Sequence, residues 1–101
     1  MTPRRLIFTP EAFEDVRAAY LWYEQRREGL GAAFELALEA TLSRVQRRPE
    51  AHPMVLPPFR RAVVRRFPYE VFFRTADDIL VVMVFHTAQD PARARIRLQG
   101  R

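Results

Sequence analysis

Neither cysteine nor lysine occurs among these 101 residues. Without cysteine there is no disulfide framework and no thiolate ligand for zinc, and two histidines, His52 and His86, are too few to build a metal site unaided. No metal or other cofactor is therefore expected. Long apolar runs are missing too. The longest, ILVVMVF from Ile79 to Phe85, falls far short of a membrane span, and the N-terminal MTPRRLIFTPEAF lacks the apolar core of a signal peptide. These absences favour a soluble, cytoplasmic protein with no membrane partner. The absence of lysine means that all 17 cationic side chains are arginine, whose planar fork matches carboxylate and phosphate bidentately.

What is present supports one domain spanning residues 1–101: 49% hydrophobic residues, with aromatics at 12%, suffice for a single core. The charge is unevenly placed. Residues 1–56 carry eight arginines and eight acids, whereas residues 57–101 carry nine arginines and four acids, so the whole +5 excess lies in the second part.

Leu6 to Phe8 can form a short strand. Thr9 is a good N-cap and Pro10 suits the first helical position, with Glu11, Glu14 and Asp15 favouring the positive helix end. Phe13, Val16, Tyr20 and Tyr23 then give one apolar face on a helix running to about Arg27. Leu30-Gly31 reads as a tight link to a second helix, from about Ala32 to Arg47. Its face is Phe34, Leu38, Leu42 and Val45, with Ala33, Ala37 and Ala40 allowing close approach. So short a link predicts a helical hairpin whose apolar stripes need a cover.

After the proline-punctuated loop from His52 to Phe59 come three candidate strands, Arg60 to Arg66, Tyr69 to Thr75 and Ile79 to His86, separated by Phe67-Pro68 and by the turn Ala76-Asp77-Asp78. ILVVMVF shows no alternation, as expected of a central strand covered on both faces. The last stretch, ARARIRLQGR, is expected as an edge strand or a mobile basic tail. The predicted class is α+β, in the order β-α-α-β-β-β, with a helical hairpin packed on a small, mainly antiparallel sheet.

The segment FRRAVVRRFPYEVFFR, from Phe59 to Arg74, places Arg60, Arg61, Arg65 and Arg66 in two adjacent pairs. Strand alternation sends one member of each pair to either face, so one face must accommodate arginine, in water or on an anionic partner. His86 ends the last strand. It is a candidate either for capping the following turn through Asp90 or for proton transfer, with Arg65 and Arg66 to stabilise a phosphate and Glu70 as a base. Ala18, Leu21 and Trp22 lie off the stripe of the first helix and form a candidate partner patch.

Element order and local sequence together resemble the RelE/ParE toxins of type II toxin–antitoxin systems, and their ParE-like branch in particular. The resemblance rests on FTPEA at 8–12, WYE at 22–24, GLGAAF at 29–34, RRPE at 47–50, FRR at 59–61, RRFPY at 65–69 and HTAQDP at 86–91, with Arg97 beyond. Two departures stand in the tail. Ala88 and Gln89 replace basic residues often found before the Asp-Pro pair, and Ala94 replaces a tryptophan. No tyrosine follows Tyr69, which turns the reading away from ribonuclease chemistry.

The resemblance implies a toxin neutralised by a cognate antitoxin in a hetero-oligomer, with DNA gyrase as target and protein binding rather than catalysis as its action. The antitoxin would contact Ala18, Leu21 and Trp22, and the target would contact Arg60, Arg61, Arg65, Arg66, Arg93 and Arg97. The alternatives are a RelE-like endoribonuclease acting on ribosome-bound mRNA, with Arg65, Arg66 and His86 as catalytic residues, or an inactive member that only binds antitoxin.

Overall fold

The computed structural model describes residues 4–100. Met1 to Pro3 and Arg101, which belong to the N-terminal and tail readings above, lie outside the described residues. The order is β1 (Leu6–Phe8), α1 (Pro10–Arg26), α2 (Leu30–Arg47), a short 3-10 turn (Pro49–Ala51), β2 (Met54–Leu56), β3 (Phe59–Val63), β4 (Tyr69–Thr75), β5 (Ile79–His86) and α3 (Pro91–Gln99). The strands form one sheet ordered β1-β5-β4-β3-β2, in which only β1 and β5 run parallel. The α+β class and the hairpin-on-sheet architecture stand as expected, enlarged by a fifth strand and a third helix.

Helix α1 starts as its sequence dictates: the Thr9 hydroxyl accepts from the Ala12 amide at 3.1 Å, with Pro10 in the first turn. The buried stripe, however, is Ala12, Ala19 and Tyr23, with Val16 partly buried, while Phe13 is 60% exposed. Small side chains at positions 12 and 19 bring α1 close to the sheet, and Phe13, one residue out of phase, points away.

Helix α2 begins at Leu30, earlier than its sequence suggests, because α1 supplies the cap. The Glu24 carboxylate accepts from the amides of Gly29 and Gly31, each at 2.9 Å, satisfying donors that a helix start leaves unpaired. Gly29 takes φ 88°, open to glycine. Gly31 is needed for space: a Cβ there would lie 2.8 Å from the Tyr20 carbonyl and 2.9 Å from the Glu24 carboxylate. The buried face is Phe34, Leu38, Thr41 and Val45, with Leu42 only partly buried. Buried Thr41 satisfies its hydroxyl by donating to the Ala37 carbonyl at 3.0 Å. Ala33 and Ala40 are exposed rather than held in a close helix contact.

The sheet has two covered faces. Toward the hairpin it presents Ala62, Val71, Phe73, Ile79, Val81 and Val84, which pack with Phe34, Leu38 and Tyr23. The opposite face presents Phe59, Phe72, Val82, Met83 and Phe85, covered by Ala94 and Leu98 of α3. ILVVMVF does not alternate because both of its faces are covered, and a bulge adds one residue to it. Phe72 pairs with Met83 and Phe73 with Val81, leaving Val82 as an extra residue, so Val82 and Met83 face the same side.

Three sequence expectations are corrected here. Residues Met54 to Leu56, read as loop, form edge strand β2, whose flanking Pro53 still accepts from the Arg61 amide at 3.0 Å. Strand β3 stops at Val63 because the Val64 amide already bonds to the Tyr69 carbonyl and closes the hairpin, so Arg65 and Arg66 sit in a turn, Arg66 at φ 74°. Finally, the stretch read as edge strand or mobile tail is helix α3. Asp90 caps it by accepting from the Ala92 amide at 3.0 Å, Pro91 opens the first turn, and Ala94 and Leu98, four apart, are its buried face.

Candidate functional site

The heads of Arg60, Arg61, Arg65 and Arg66 go to three different places. Arg60 faces the hairpin side and donates to the His52 carbonyl at 2.7 Å and to that of Glu50 at 3.5 Å, tying β3 to the loop after α2. Arg61 faces the α3 side, beside Glu70 at 3.4 Å, with a buried Nε that has no hydrogen-bond partner. Alternation thus separates Arg60 from Arg61 as expected, but it does not govern Arg65 and Arg66, which are exposed in the β3–β4 turn.

His86 lies in a cleft of about 380 Å³ between α1 and the end of β5, lined also by Asp15, Ala18, Trp22, Tyr69 and Arg97. The cleft exists because β1 pairs only as far as Phe8 with Val81, leaving the edge of β5 open beyond it. Asp15 fills the gap. Its Oδ2 accepts from the Val84 amide at 3.0 Å and from the Arg97 guanidinium at 2.9 Å, so one carboxylate joins α1, β5 and α3. The His86 Nδ1 accepts from the Ala88 amide at 3.0 Å, so the histidine caps its turn through Ala88 rather than through Asp90. Its ring meets Tyr69 edge-on at 4.9 Å. Burial raises the Tyr69 phenol above its usual value, and the nearby Tyr23 and Asp15 act in the same direction.

Ala18 and Trp22 line this cleft, and Trp22 is 47% exposed under the guanidinium of Arg26, 4.2 Å from the ring. Leu21 is exposed on α1 but outside the cleft. Arg93 is exposed on α3. Arg65 and Arg66 line a different hollow, along α2, which shares no residue with the His86 cleft. A third hollow, about 440 Å³, lies between α3 and β2 on the outer sheet face, with Arg61, Glu70 and Arg95 among walls that include Leu56, Phe72, Phe85 and Leu98. Sequence reasoning missed Asp15 as an organising residue, and it missed Arg44, which donates to the Thr41 hydroxyl and the Val63 carbonyl, each at 3.3 Å. Asp15 looked like a helix-start acid, and nothing local in the sequence says that its partners lie on β5 and α3. Among the described residues no group of three or more His, Asp or Glu could hold a metal ion.

His52 titrates against the fold. Burial pushes its imidazole below the usual histidine value, the charges of Arg44 and Arg60 push the same way, and a backbone hydrogen bond with Arg44 opposes them only in part. The unfolded chain therefore binds more protons as pH falls through the ordinary histidine range near about 6.5, so stability drops there. The melting temperature is expected to fall between pH 7 and pH 5, and His52→Phe should shrink that fall. An identical pH profile in the variant would exclude His52 as its source.

A basic α+β chain with a helical hairpin on a five-stranded sheet, a third helix closing the far face and arginines gathered at separate hollows is the frame in which the comparisons fall. The sequence model of the ParE toxin of type II toxin–antitoxin systems, parDE, matches residues 6–91. The chain belongs to that family. The match ends at the first residue of α3. A solved chromosomal ParDE system from P. aeruginosa shares the fold at a TM-score of 0.72 and 18% identity, covering 82% of this chain and 95% of that one. No curated protein matches in sequence. Among the described residues no helix is long and apolar enough to cross a membrane.

Proposed function

We propose that this chain is a ParE-type toxin that a cognate antitoxin holds inactive and that, when free, binds DNA gyrase and blocks it without chemistry of its own. The observation that carries the choice against a nuclease is the separation of the candidate catalytic groups. Arg65 and Arg66 line the hollow along α2, His86 lines the cleft under α1, and the His86 Nδ1 is occupied by a backbone amide. A ribonuclease needs its base, its acid and its phosphate-binding cations within hydrogen-bond reach of one phosphodiester. In a binding protein the same groups can serve separate surfaces. Ala18, Leu21 and Trp22 remain the proposed antitoxin patch on α1, and exposed Arg65, Arg66 and Arg93 the most accessible of the proposed target contacts.

Induced expression without the antitoxin tests the reading, with gyrase supercoiling and mRNA integrity followed in parallel. Growth arrest with inhibited supercoiling and intact mRNA is expected. Specific cleavage of translated mRNA that disappears in His86→Ala would replace the proposal with the endoribonuclease reading. A chain that arrests nothing but still co-purifies with the antitoxin would leave an inactive binding member.

A further inference from the structure

The end of α2 and the turn after it enclose a small hollow of about 250 Å³, lined by Arg44, Arg47, Arg48, Ala51 and His52. The three arginines stand at i, i+3 and i+4, so they share one face of the last helical turn and its cap. The 3-10 turn Pro49–Ala51 then reverses the chain and sets His52 against them. That return is held firmly. Arg60 of β3 donates to the carbonyls of Glu50 and His52, at 3.5 and 2.7 Å, and the His52 ring meets Phe73 of β4 edge-on at 5.8 Å. Like charges at this spacing repel, and the negative end of the α2 dipole, about half a charge, offsets only part of three cations. None of the described residues lining the hollow is acidic, and among the described residues no carboxylate pairs with Arg44, Arg47, Arg48 or Arg60. Glu50, the nearest acid in sequence, is paired with Arg4 at 3.3 Å. The bonds from Arg44 to the Thr41 hydroxyl and the Val63 carbonyl position its head without neutralising it.

We infer that this hollow is a phosphoryl-binding site, seating a phosphate or pyrophosphate group among the guanidiniums of Arg44, Arg47 and Arg48. Such a site is independent of the antitoxin and gyrase contacts proposed above. Geometry selects the ligand class. Three planar forks around a small hollow suit a tetrahedral oxyanion, which offers three acceptor oxygens and about two charges on one centre. A carboxylate offers only two oxygens, in one plane, and a single charge. Ala51 is the one aliphatic residue of the described lining, so an apolar side chain of a peptide would gain little there. His52 adds a charge that can be switched. Facing it are Arg44, Arg47 and Arg48 from α2, Arg60 from β3 and the Phe73 ring from β4. Burial, then the charges of Arg44 and Arg60, hold its imidazole below the usual value. An anion among the arginines cancels part of that repulsion and makes the protonated ring a fourth cation of the site. Proton uptake at His52 and phosphate binding therefore favour each other.

Titrating the intact chain with inorganic pyrophosphate, against sodium chloride at equal ionic strength, tests the site through NMR signals of the two histidines. His52 reports on the hollow, and His86, in the cleft under α1, is the internal control. The His52 titration midpoint is expected to move up with pyrophosphate while that of His86 stays in place. The fall in melting temperature between pH 7 and pH 5 should shrink as well, because a folded-state value nearer the ordinary one narrows the difference in proton binding between folded and unfolded chains. Arg47→Gln with Arg48→Gln removes two of the three arginines at exposed positions. Arg93→Gln with Arg95→Gln removes the same charge from exposed positions on α3, across the sheet. Melting without ligand checks both folds.

Pyrophosphate affinity should fall at least about tenfold in the α2 variant and stay within about threefold in the α3 control. ATP and a short DNA duplex then distinguish the two sources of the phosphoryl group. ATP binding that needs Arg47 and Arg48, with duplex binding unchanged in the variant, assigns a nucleotide. Duplex binding that weakens in the variant, with a salt dependence shallower by about two counterions, assigns the nucleic-acid backbone. A His52 midpoint that does not move, or equal losses in the α2 and α3 variants, would overturn the site. So would a short oligoglutamate peptide that binds as tightly as pyrophosphate, since the hollow would then select charge and not the phosphoryl group.

Discussion

Phe34→Ala is expected to lower the unfolding free energy by about 3–5 kcal/mol, the range for removing a large aromatic from a close-packed core. Phe34 is fully buried and stands where the hairpin meets the sheet. Its ring stacks on Tyr23 with centroids 5.4 Å apart and meets Phe67 and Tyr69 edge-on at 5.4 and 5.1 Å. Four aromatics from α1, α2, the β3–β4 turn and β4 therefore share one cluster, and a cavity at Phe34 leaves all four elements short of contacts. For a domain of this size, whose total stability is typically about 5–15 kcal/mol, that loss is a large share. Urea unfolding of both proteins measures it, with Phe13→Ala as the comparison. Phe13 is mostly exposed, so its truncation should cost no more than about 0.5 kcal/mol. A loss below about 1 kcal/mol for Phe34→Ala, or equal losses at both positions, would show that the cluster does not hold hairpin and sheet together.

The contrast between Phe34 and Phe13 shows where the sequence was legible. Elements with local signals came out at or near their ends: Thr9-Pro10 set the start of α1, Pro49 followed the end of α2, and the strands Tyr69–Thr75 and Ile79–His86 ended at their turn residues. Phase was harder to read. Phe13 and Ala12 are one residue apart, and hydrophobicity alone favours the larger side chain, whereas the close approach of α1 to the sheet requires the smaller one. The extra residue at Val82 is equally invisible, because a run of apolar residues looks the same with or without a bulge. In the tail, arginines at positions 93, 95 and 97 suggest a period of two, but the apolar residues that decide the fold, Ala94 and Leu98, are spaced for a helix and need the outer sheet face to bury them.

The candidate sites were less legible than the fold for the same reason, since each is made by contacts distant in sequence. Arg60 and Arg61 were expected on opposite faces of the sheet, yet both among the target contacts. In the structure Arg60 is bound to backbone carbonyls and Arg61 to a neighbouring strand's carboxylate. Arg65 and Arg66 line one hollow with Arg44, to which no spacing rule connects them.

Asp15→Ala is expected to cost about 2–3 kcal/mol, because one carboxylate serves two groups that cannot easily find another partner. The Val84 amide is on a buried strand position where the β1 ladder has already ended, and the Arg97 guanidinium is only partly exposed. Removing Asp15 leaves a backbone donor unpaired and a cation unneutralised at the junction of α1, β5 and α3. Asp15→Asn separates the two contributions: the amide oxygen can still accept from Val84, while the ion pair with Arg97 is lost, so about half of the effect should return. The α3 end should respond most. With Arg97 released, only Ala94 and Leu98 bury the helix, and amide hydrogen exchange in residues 94–99 is expected to quicken well before that of β4 and β5. Stability unchanged in Asp15→Ala, or exchange that quickens uniformly across the sheet, would show that the carboxylate does not pin α3. The first result would also leave α3 held by its two apolar residues alone.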